Sequence, residues 1–326
     1  LIEGDVACLA TESGMAAISI TLLGLLKSGD HIVCDWTTYS STHEMLDHRL
    51  TDYNIETTFV DTSNIEAVRA AIRPNTKIIY FETIANPSMK VAPVAPLVEL
   101  AHARDIVVVC DNTFASPYVM RPLEWGVDIV VESATKFIGG HSDVIGGSIC
   151  MKSKLLPSDF LEQIRWNTMV KLGAPIAPFN AWMLIRGIQT LSVRVERQCQ
   201  SAAKLAAHFE EHPNIKQVWY PGLASHPQHE VAKEQMPKFG AMLTFEVEDG
   251  DAALKVLDNL ELTCFSASLG GVRSTTQIPA LMAFLDIPKS EREEMGIRDG
   301  MIRVSTGLED ADDLIEDFDA ALSKLN

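Results

Sequence analysis

Lys136 and Asp111 both stand where an apolar run ends, and both are groups that are hard to keep charged there. Lys136 lies in Ser133-Ala134-Thr135-Lys136-Phe137-Ile138-Gly139-Gly140-His141, just past Val127-Asp128-Ile129-Val130-Val131. At the dry end of a strand, burial lowers an amine's pKa toward the neutral form that condenses with an aldehyde. The hydroxyls of Ser133 and Thr135 flank it and suit a phosphate. A surface lysine in a Ser/Thr turn is the competing reading. Asp111 ends Ile106-Val107-Val108-Val109-Cys110, where a carboxylate is costly to bury unless a cation faces it. A protonated pyridine nitrogen is such a cation, and keeping it protonated makes the ring an electron sink. A structural salt bridge or a metal ligand would also explain Asp111, but no His/Cys cluster accompanies it and no metal is expected. Lys136 and Asp111 together point to pyridoxal 5'-phosphate (PLP).

Other residues fit the same chemistry less specifically. Thr11-Glu12-Ser13-Gly14-Met15 precedes an apolar helix from Ala16 to Leu26, so the Gly14 and Met15 amides stand at a helix N-terminus suited to an anion. An ordinary Ser N-cap explains the same residues. Tyr39, in the polar loop Trp36-Thr37-Thr38-Tyr39-Ser40-Ser41, offers a ring to stack on a pyridine and a phenol to relay a proton, or is simply an aromatic at a helix start. Arg303, inside Ile302-Arg303-Val304-Ser305, presents a planar fork suited to a substrate carboxylate, or pairs with a distant acid.

The elements that must position these groups alternate strand and helix. Strands are expected at His31–Asp35, Ile55–Val60, Lys77–Glu82, Ile106–Asp111 and Val127–Val131, with helices at Ile65–Ile72, capped by Thr62 or Ser63, and at Val94–Arg104. Short continuous apolar strands with helical crossovers predict a mostly parallel sheet covered on both faces. Each strand ends in a polar cluster, which lines Tyr39, Asn86, Asp111 and Lys136 along one edge, where open α/β sheets carry ligands. There is no G-x-G-x-x-G after the first strand, which weakens a dinucleotide reading. Past Gly146-Gly147-Ser148-Ile149-Cys150 the pattern changes. A helix is expected over residues 157–168, then a long amphipathic helix from about Asn180 to His212 linking two domains. A smaller α+β domain follows, with strands at Lys216–Tyr220, Met242–Val247, Thr263–Ala267 and Met301–Thr306, and helices at about 250–258 and 309–324. The domains read as 1–190, holding the cofactor, and 191–326. Lys289–Glu294 alternates in sign and reads as a solvated helix face.

The whole chain sets limits. Lys+Arg number 27 against 44 Asp+Glu, a net charge of −17, which opposes nucleic acid and anionic membranes as partners. Six scattered cysteines, several inside apolar runs, read as small core residues in a reducing compartment, so a cytoplasmic location is expected. No apolar run reaches membrane-spanning length and no signal peptide is visible. The chain opens at Leu1 in a helix-like pattern, as the ordered part of a longer product would.

Five stretches taken in order resemble the Cys/Met-metabolism family of PLP enzymes: Thr11 to Met15, Glu82-Thr83-Ile84-Ala85-Asn86-Pro87, Cys110-Asp111-Asn112-Thr113-Phe114, Asp128 to Ser142, and Ile302-Arg303-Val304-Ser305-Thr306-Gly307-Leu308-Glu309-Asp310. The resemblance spans essentially the whole chain and implies the fold-type I PLP-dependent transferase architecture, acting on a small amino acid. It assigns Lys136 to cofactor attachment and proton transfer, Asp111 to the pyridine nitrogen, and Tyr39 to ring stacking and acid–base work. Asn86 and Glu82 match residues near the cofactor's phenolic oxygen; Gly14, Met15, Ser133 and Thr135 match phosphate ligands; Ser268 and Arg303 match the substrate-carboxylate site. It also implies a homotetramer of dimers that share active sites through an N-terminal arm, which this sequence does not contain.

The implied reaction is γ-elimination from methionine, homocysteine or cystathionine, giving a thiol, 2-oxobutanoate and ammonia. The alternative is γ-replacement on an O-acyl- or O-phospho-homoserine, as in cystathionine γ-synthase or a homoserine-ester sulfhydrylase. A third reading, a non-catalytic PLP-fold protein, predicts a colourless preparation. Three positions depart from the family's pattern. Ser41 stands where methionine γ-lyases carry Cys, Met169-Val170 where they carry Lys-Asp, and Arg273 where many cystathionine enzymes carry Glu. Arg273 therefore points either to an anionic distal group on the substrate or to a surface arginine at the channel mouth.

Overall fold

The structure is a computed structural model and describes residues 7–285 and 287–325. They divide into two compact units. One takes the chain up to Ala85, then Val91–Gly139 and Asp143–Gln189; the other takes Asn86–Lys90, Gly140–Ser142 and the chain from Thr190.

The first unit is built on a seven-stranded sheet: β1 (Ala7–Thr11), β2 (His31–Asp35), β3 (Glu56–Val60), β4 (Thr76–Glu82), β5 (Val107–Asp111), β6 (Ile129–Glu132) and β7 (Gly147–Met151), in the order β1-β7-β6-β5-β4-β2-β3. Strands β2 to β6 are mutually parallel, while β7 runs antiparallel to both β6 and β1. Strands β2, β5 and β6 are buried along their whole length, as strands covered on both faces must be, and this explains their unbroken Val/Ile/Cys composition. The polar intruder His31 is satisfied in place. Its ring nitrogens meet Thr76 and Thr58 hydroxyls at 2.8 Å each, and burial pushes its pKa down to about 4.

Helix Gly14–Leu25 covers one face of this sheet, laying Ala17, Ile18 and Leu22 on a layer that includes Ile32, Tyr80, Val109 and Val131. Its Ser13 N-cap accepts the Ala16 N–H at 3.1 Å. The helix and β7 approach closely: a Cβ at Gly147 would lie 2.2 Å from Ser13 O and 2.6 Å from Thr11 Oγ1. Glycine at 147 is what lets the sheet and the helix's first turn meet.

The second unit has a five-stranded sheet, β8 (Gln217–Trp219), β9 (Met242–Glu246), β10 (Cys264–Phe265), β11 (Thr275–Gln277) and β12 (Met301–Ser305), in the order β10-β11-β12-β9-β8. All its pairs are antiparallel except β10 with β11. Helices Leu191–Glu210, Gly250–Asp258 and Ala311–Leu322 supply its core, where the fully buried rings of Phe209, Phe245 and Phe318 meet with centroids 4.8 to 5.9 Å apart.

Several expectations are corrected. Residues from Ala7 form an edge strand before helix Gly14–Leu25; their small side chains hide the strand's alternation. Helix Ile65–Ala71 is capped by Asn64, not by Thr62 or Ser63, because the Thr62 hydroxyl and N–H are both engaged by Asp35. The helix expected over 157–168 starts at Phe160 and passes into a π-helical turn at Arg165–Met169. The long helix from Asn180 to His212 is two helices, Pro178–Ile188 and Leu191–Glu210. Thr190 leaves the helical region (φ −111, ψ 7), and its hydroxyl accepts Arg194 Nε at 3.0 Å, a side-chain bond that competes with helical continuation. The strand expected at Thr263–Ala267 shrinks to Cys264–Phe265, and β11 was not anticipated. Within Lys289–Glu294, Arg292 is buried and pairs with Asp299 at 3.0 Å, so that helix is not solvated all round.

All six cysteines are free thiols, with Cys34 and Cys110 fully buried. Among the described residues no helix is long and apolar enough to cross a membrane, and no group of three His, Cys, Asp or Glu is arranged to hold a metal. Gly147→Ala is expected to lower the urea-unfolding free energy by about 1–3 kcal/mol, because the clash is with backbone that cannot swing away.

Candidate active site

Parallel strands deliver their C-terminal residues to one edge of the seven-stranded sheet. Glu82 closes β4 and pairs in register with Asp111 at the end of β5, which in turn pairs with Val131 of β6. The chain leaving β6 through Glu132 enters the segment that bears Ser133, Thr135 and Lys136. Residues paired in register, and residues two apart on one strand, share a face. Glu82 and Asp111 therefore lie on the face that carries Tyr80 and Val109, the one covered by helix Gly14–Leu25.

Asp111 is 8% exposed. Its Oδ1 accepts the Thr113 N–H at 2.9 Å. Burial raises its pKa, against which the hydroxyls of Thr113 and Tyr80 and the Thr113 N–H act in the opposite sense. Thr113 is itself anchored, since its Oγ1 accepts the Ser133 N–H at 2.8 Å. The carboxylate is thus tied through one residue to the lysine segment. That segment is a tight return: Lys136 N bonds Ser133 O at 3.1 Å, Gly139 N bonds Ala134 O at 2.8 Å, and Thr135 N bonds Gly146 O at 3.1 Å. Lys136 itself is half-buried.

The N-terminus of helix Gly14–Leu25 meets the same return. A Cβ on Gly14 would stand 2.7 Å from Ser133 Cβ and 2.9 Å from its Oγ, so only glycine leaves the first-turn amides open beside the Ser133 hydroxyl. Thr135 is differently placed: its hydroxyl donates to Gly146 O at 3.2 Å and accepts from Gly146 N at 3.1 Å. Its proton reaches an anion only by turning off that carbonyl. Met15, half-buried in the first turn, receives the Thr42 hydroxyl on its sulfur at 3.8 Å.

Tyr39 is positioned from two sides. Asp35, at the end of β2, accepts the Thr37 N–H at 2.8 Å and its hydroxyl at 2.5 Å, and also binds Thr62, fixing the loop. Glu82 Oε1 then accepts the Tyr39 N–H at 2.5 Å, leaving the ring 42% exposed.

Asn86, Ser268 and Arg303 come together in the second unit. Arg303, in the middle of β12 and 2% exposed, donates to Asn86 Oδ1 at 3.0 Å and to the carbonyls of Ala267 and Ser268 at 3.1 and 3.3 Å. Thr244, its register partner on β9, donates to Pro87 O at 2.7 Å, and the Asn86–Pro87 peptide is cis. The Asn86 segment is grouped with the unit that holds Arg303. Arg273 is exposed on the chain leading into β11. Sequence reasoning passed over Thr113, Thr244 and Tyr80. A Thr two residues past an Asp is a turn signal that could have revealed the first; the other two sit inside apolar strands and carry no signal.

A type I PLP fold is the class that this architecture defines. The chain is 38% identical to a crystal structure of cystathionine γ-lyase from Lactobacillus plantarum complexed with L-serine, with a TM-score of 0.93 over 99% of this chain and 83% of that one. Residues 1–323 match the Cys/Met metabolism PLP-dependent enzyme family. The chain is 45% identical to an L-methionine γ-lyase of Fusobacterium nucleatum over 99% of its own length and 81% of that protein's. It is 42% identical to the cystathionine β-lyase MetC of Bacillus subtilis over 99% of its length and 82% of that protein's. The chain belongs to the Cys/Met metabolism family of PLP-dependent enzymes, a family that includes carbon–sulfur lyases.

The residues present fit that cofactor. A buried carboxylate suits a cationic ring nitrogen, the helix N-terminus held open by Gly14 suits a phosphate, and an amine stands on the same edge. A carboxyl whose folded pKa is raised keeps its proton longer in the native state than in the unfolded one. The resulting stability is complete below its ordinary 3.8 and is lost as pH rises through the folded value. Asp111→Asn should therefore raise the melting temperature of the cofactor-free chain at pH 7, with little gain at pH 4, as measured by scanning calorimetry.

Proposed function

We propose that the protein catalyses PLP-dependent γ-elimination of a sulfur amino acid, methionine, homocysteine or cystathionine, releasing a thiol, 2-oxobutanoate and ammonia. The observation that carries the cofactor part is Asp111: a buried carboxylate costs stability where it stands, and a cationic ring offsets that cost. Support for the γ-lyase part is the 45% identity to a protein named L-methionine γ-lyase.

When bound, PLP supplies an aldehyde for an amine and a ring that stores negative charge. Lys136 would hold it through its side-chain amine, and that amine would carry protons between substrate carbons. Asp111 would face the ring nitrogen and favour its protonated form. Gly14 and Met15 amides, Ser133 and, after rotation of its hydroxyl, Thr135 hold the phosphate. Tyr39 would stack on the cofactor and pass a proton to the leaving sulfur, with Glu82 setting its backbone. Arg303 takes the substrate carboxylate, oriented by Asn86 and the Ser268 carbonyl. We extend the proposal to a homotetramer of dimers acting in the cytoplasm.

A second reading, γ-replacement on an activated homoserine, is favoured by one observation: Arg273 is an exposed cation where an acidic residue would repel a succinyl or phosphoryl group. The test is incubation with methionine, cystathionine and acetyl- and succinyl-homoserine, with and without thiol, measuring 2-oxobutanoate. Keto acid without added thiol is expected; strict dependence on thiol would replace the first reading with the second. In the same assay Arg273→Ala is expected to leave methionine turnover intact and to lower succinyl-homoserine turnover. Lys136→Ala should lose turnover by about 1,000-fold or more and should no longer retain PLP after borohydride treatment, read by intact mass.

A further inference from the structure

Tyr80 is a tyrosine in the middle of an apolar strand, fully buried, whose hydroxyl acts on the Asp111 carboxyl yet meets no partner at full hydrogen-bonding geometry. A buried phenol left in that condition needs an explanation, since an unmet donor in the core is costly and phenylalanine would pack in the same space. Its place in the sheet offers one. Tyr80 pairs in register with Val109 on the neighbouring strand, and Asp111 is two residues further along that strand. The two side chains share a face as diagonal neighbours, a separation within reach of an aromatic side chain. Burial first, then the charges of Asp111 and Glu82, push the phenol's pKa well up, so Tyr80 keeps its proton and is available as a donor. Thr113 serves the carboxyl from its own strand's continuation, while Tyr80 approaches from β4.

We propose that Tyr80 is a positioning residue whose hydroxyl donates to the Asp111 carboxylate, holding it ionised and aimed as the partner of the cofactor's ring nitrogen. This rests on the assignment of Asp111 to that nitrogen. It explains why a polar atom is kept in a layer otherwise made of Ile32, Cys34, Val109 and Val131. Such a bond would share the cost of burying Asp111 between donors on adjacent strands, Thr113 and Tyr80.

The test is a set of PLP titrations of the cofactor-free wild type, Tyr80→Phe, Asp111→Asn and the double variant, each checked for folding by its melting temperature. Tyr80→Phe is expected to leave the melting temperature nearly unchanged, because the ring's packing is kept, and to weaken PLP binding by about tenfold. The double variant should bind no more weakly than Asp111→Asn. In the cofactor-free chain the Asp111 carboxyl, followed by its carbon-13 shift, should titrate at higher pH in Tyr80→Phe than in wild type. Tyr80→Phe with wild-type affinity beside a weakened Asp111→Asn overturns the proposal and leaves the cofactor site standing. Equal losses from Tyr80→Phe with and without Asp111 also overturn it, by making the tyrosine a packing residue. Unchanged affinity in Asp111→Asn sinks the assignment of Asp111 itself.

Discussion

A single carboxylate in the wrong solvent organises the first unit. Asp111 sits where burial opposes its charge, and what surrounds it makes that tolerable: the Thr113 N–H and the Thr113 hydroxyl, fixed in turn by Ser133. Parallel pairing is what permits this. Adjacent parallel strands end at the same edge, so β4, β5 and β6 set down their polar residues together, and the chain beyond β6 brings the lysine to that edge without a helix in between.

The second unit solves a different problem with a cation. Arg303 is buried in a sheet, and its fork is met by an amide oxygen and two carbonyls. Such an arrangement fixes the plane and direction of a guanidinium fork. Thr244, opposite Arg303 in the ladder, secures the neighbouring peptide of the same short segment, so β9 and β12 jointly hold Asn86-Pro87.

Much of this was legible in the residues. Continuous apolar runs ending in single charged groups located β2, β4, β5 and β6, because a strand covered on both faces has no polar alternation to confuse it. The glycine at 14 and the lysine at 136 stood out by type. What the sequence concealed was governed by long-range contacts. The break at Thr190 depends on a side-chain bond to Arg194, and a helix-period pattern runs through it unchanged. Asn86 reads as the tail of β4, yet its hydrogen bonds are to a residue more than two hundred positions later. Tyr80 is indistinguishable from any core aromatic until the register puts it beside an acid. β1 and β11 are too short or too small in side chain to register as strands.

The hairpin-like return from β6 to β7 confines motion to one place. Its backbone is pinned at Ser133, Ala134 and Gly146, so an amine on this return has only its four methylenes with which to change station. Side-chain rotation of that kind runs in picoseconds to nanoseconds, far ahead of loop rearrangement.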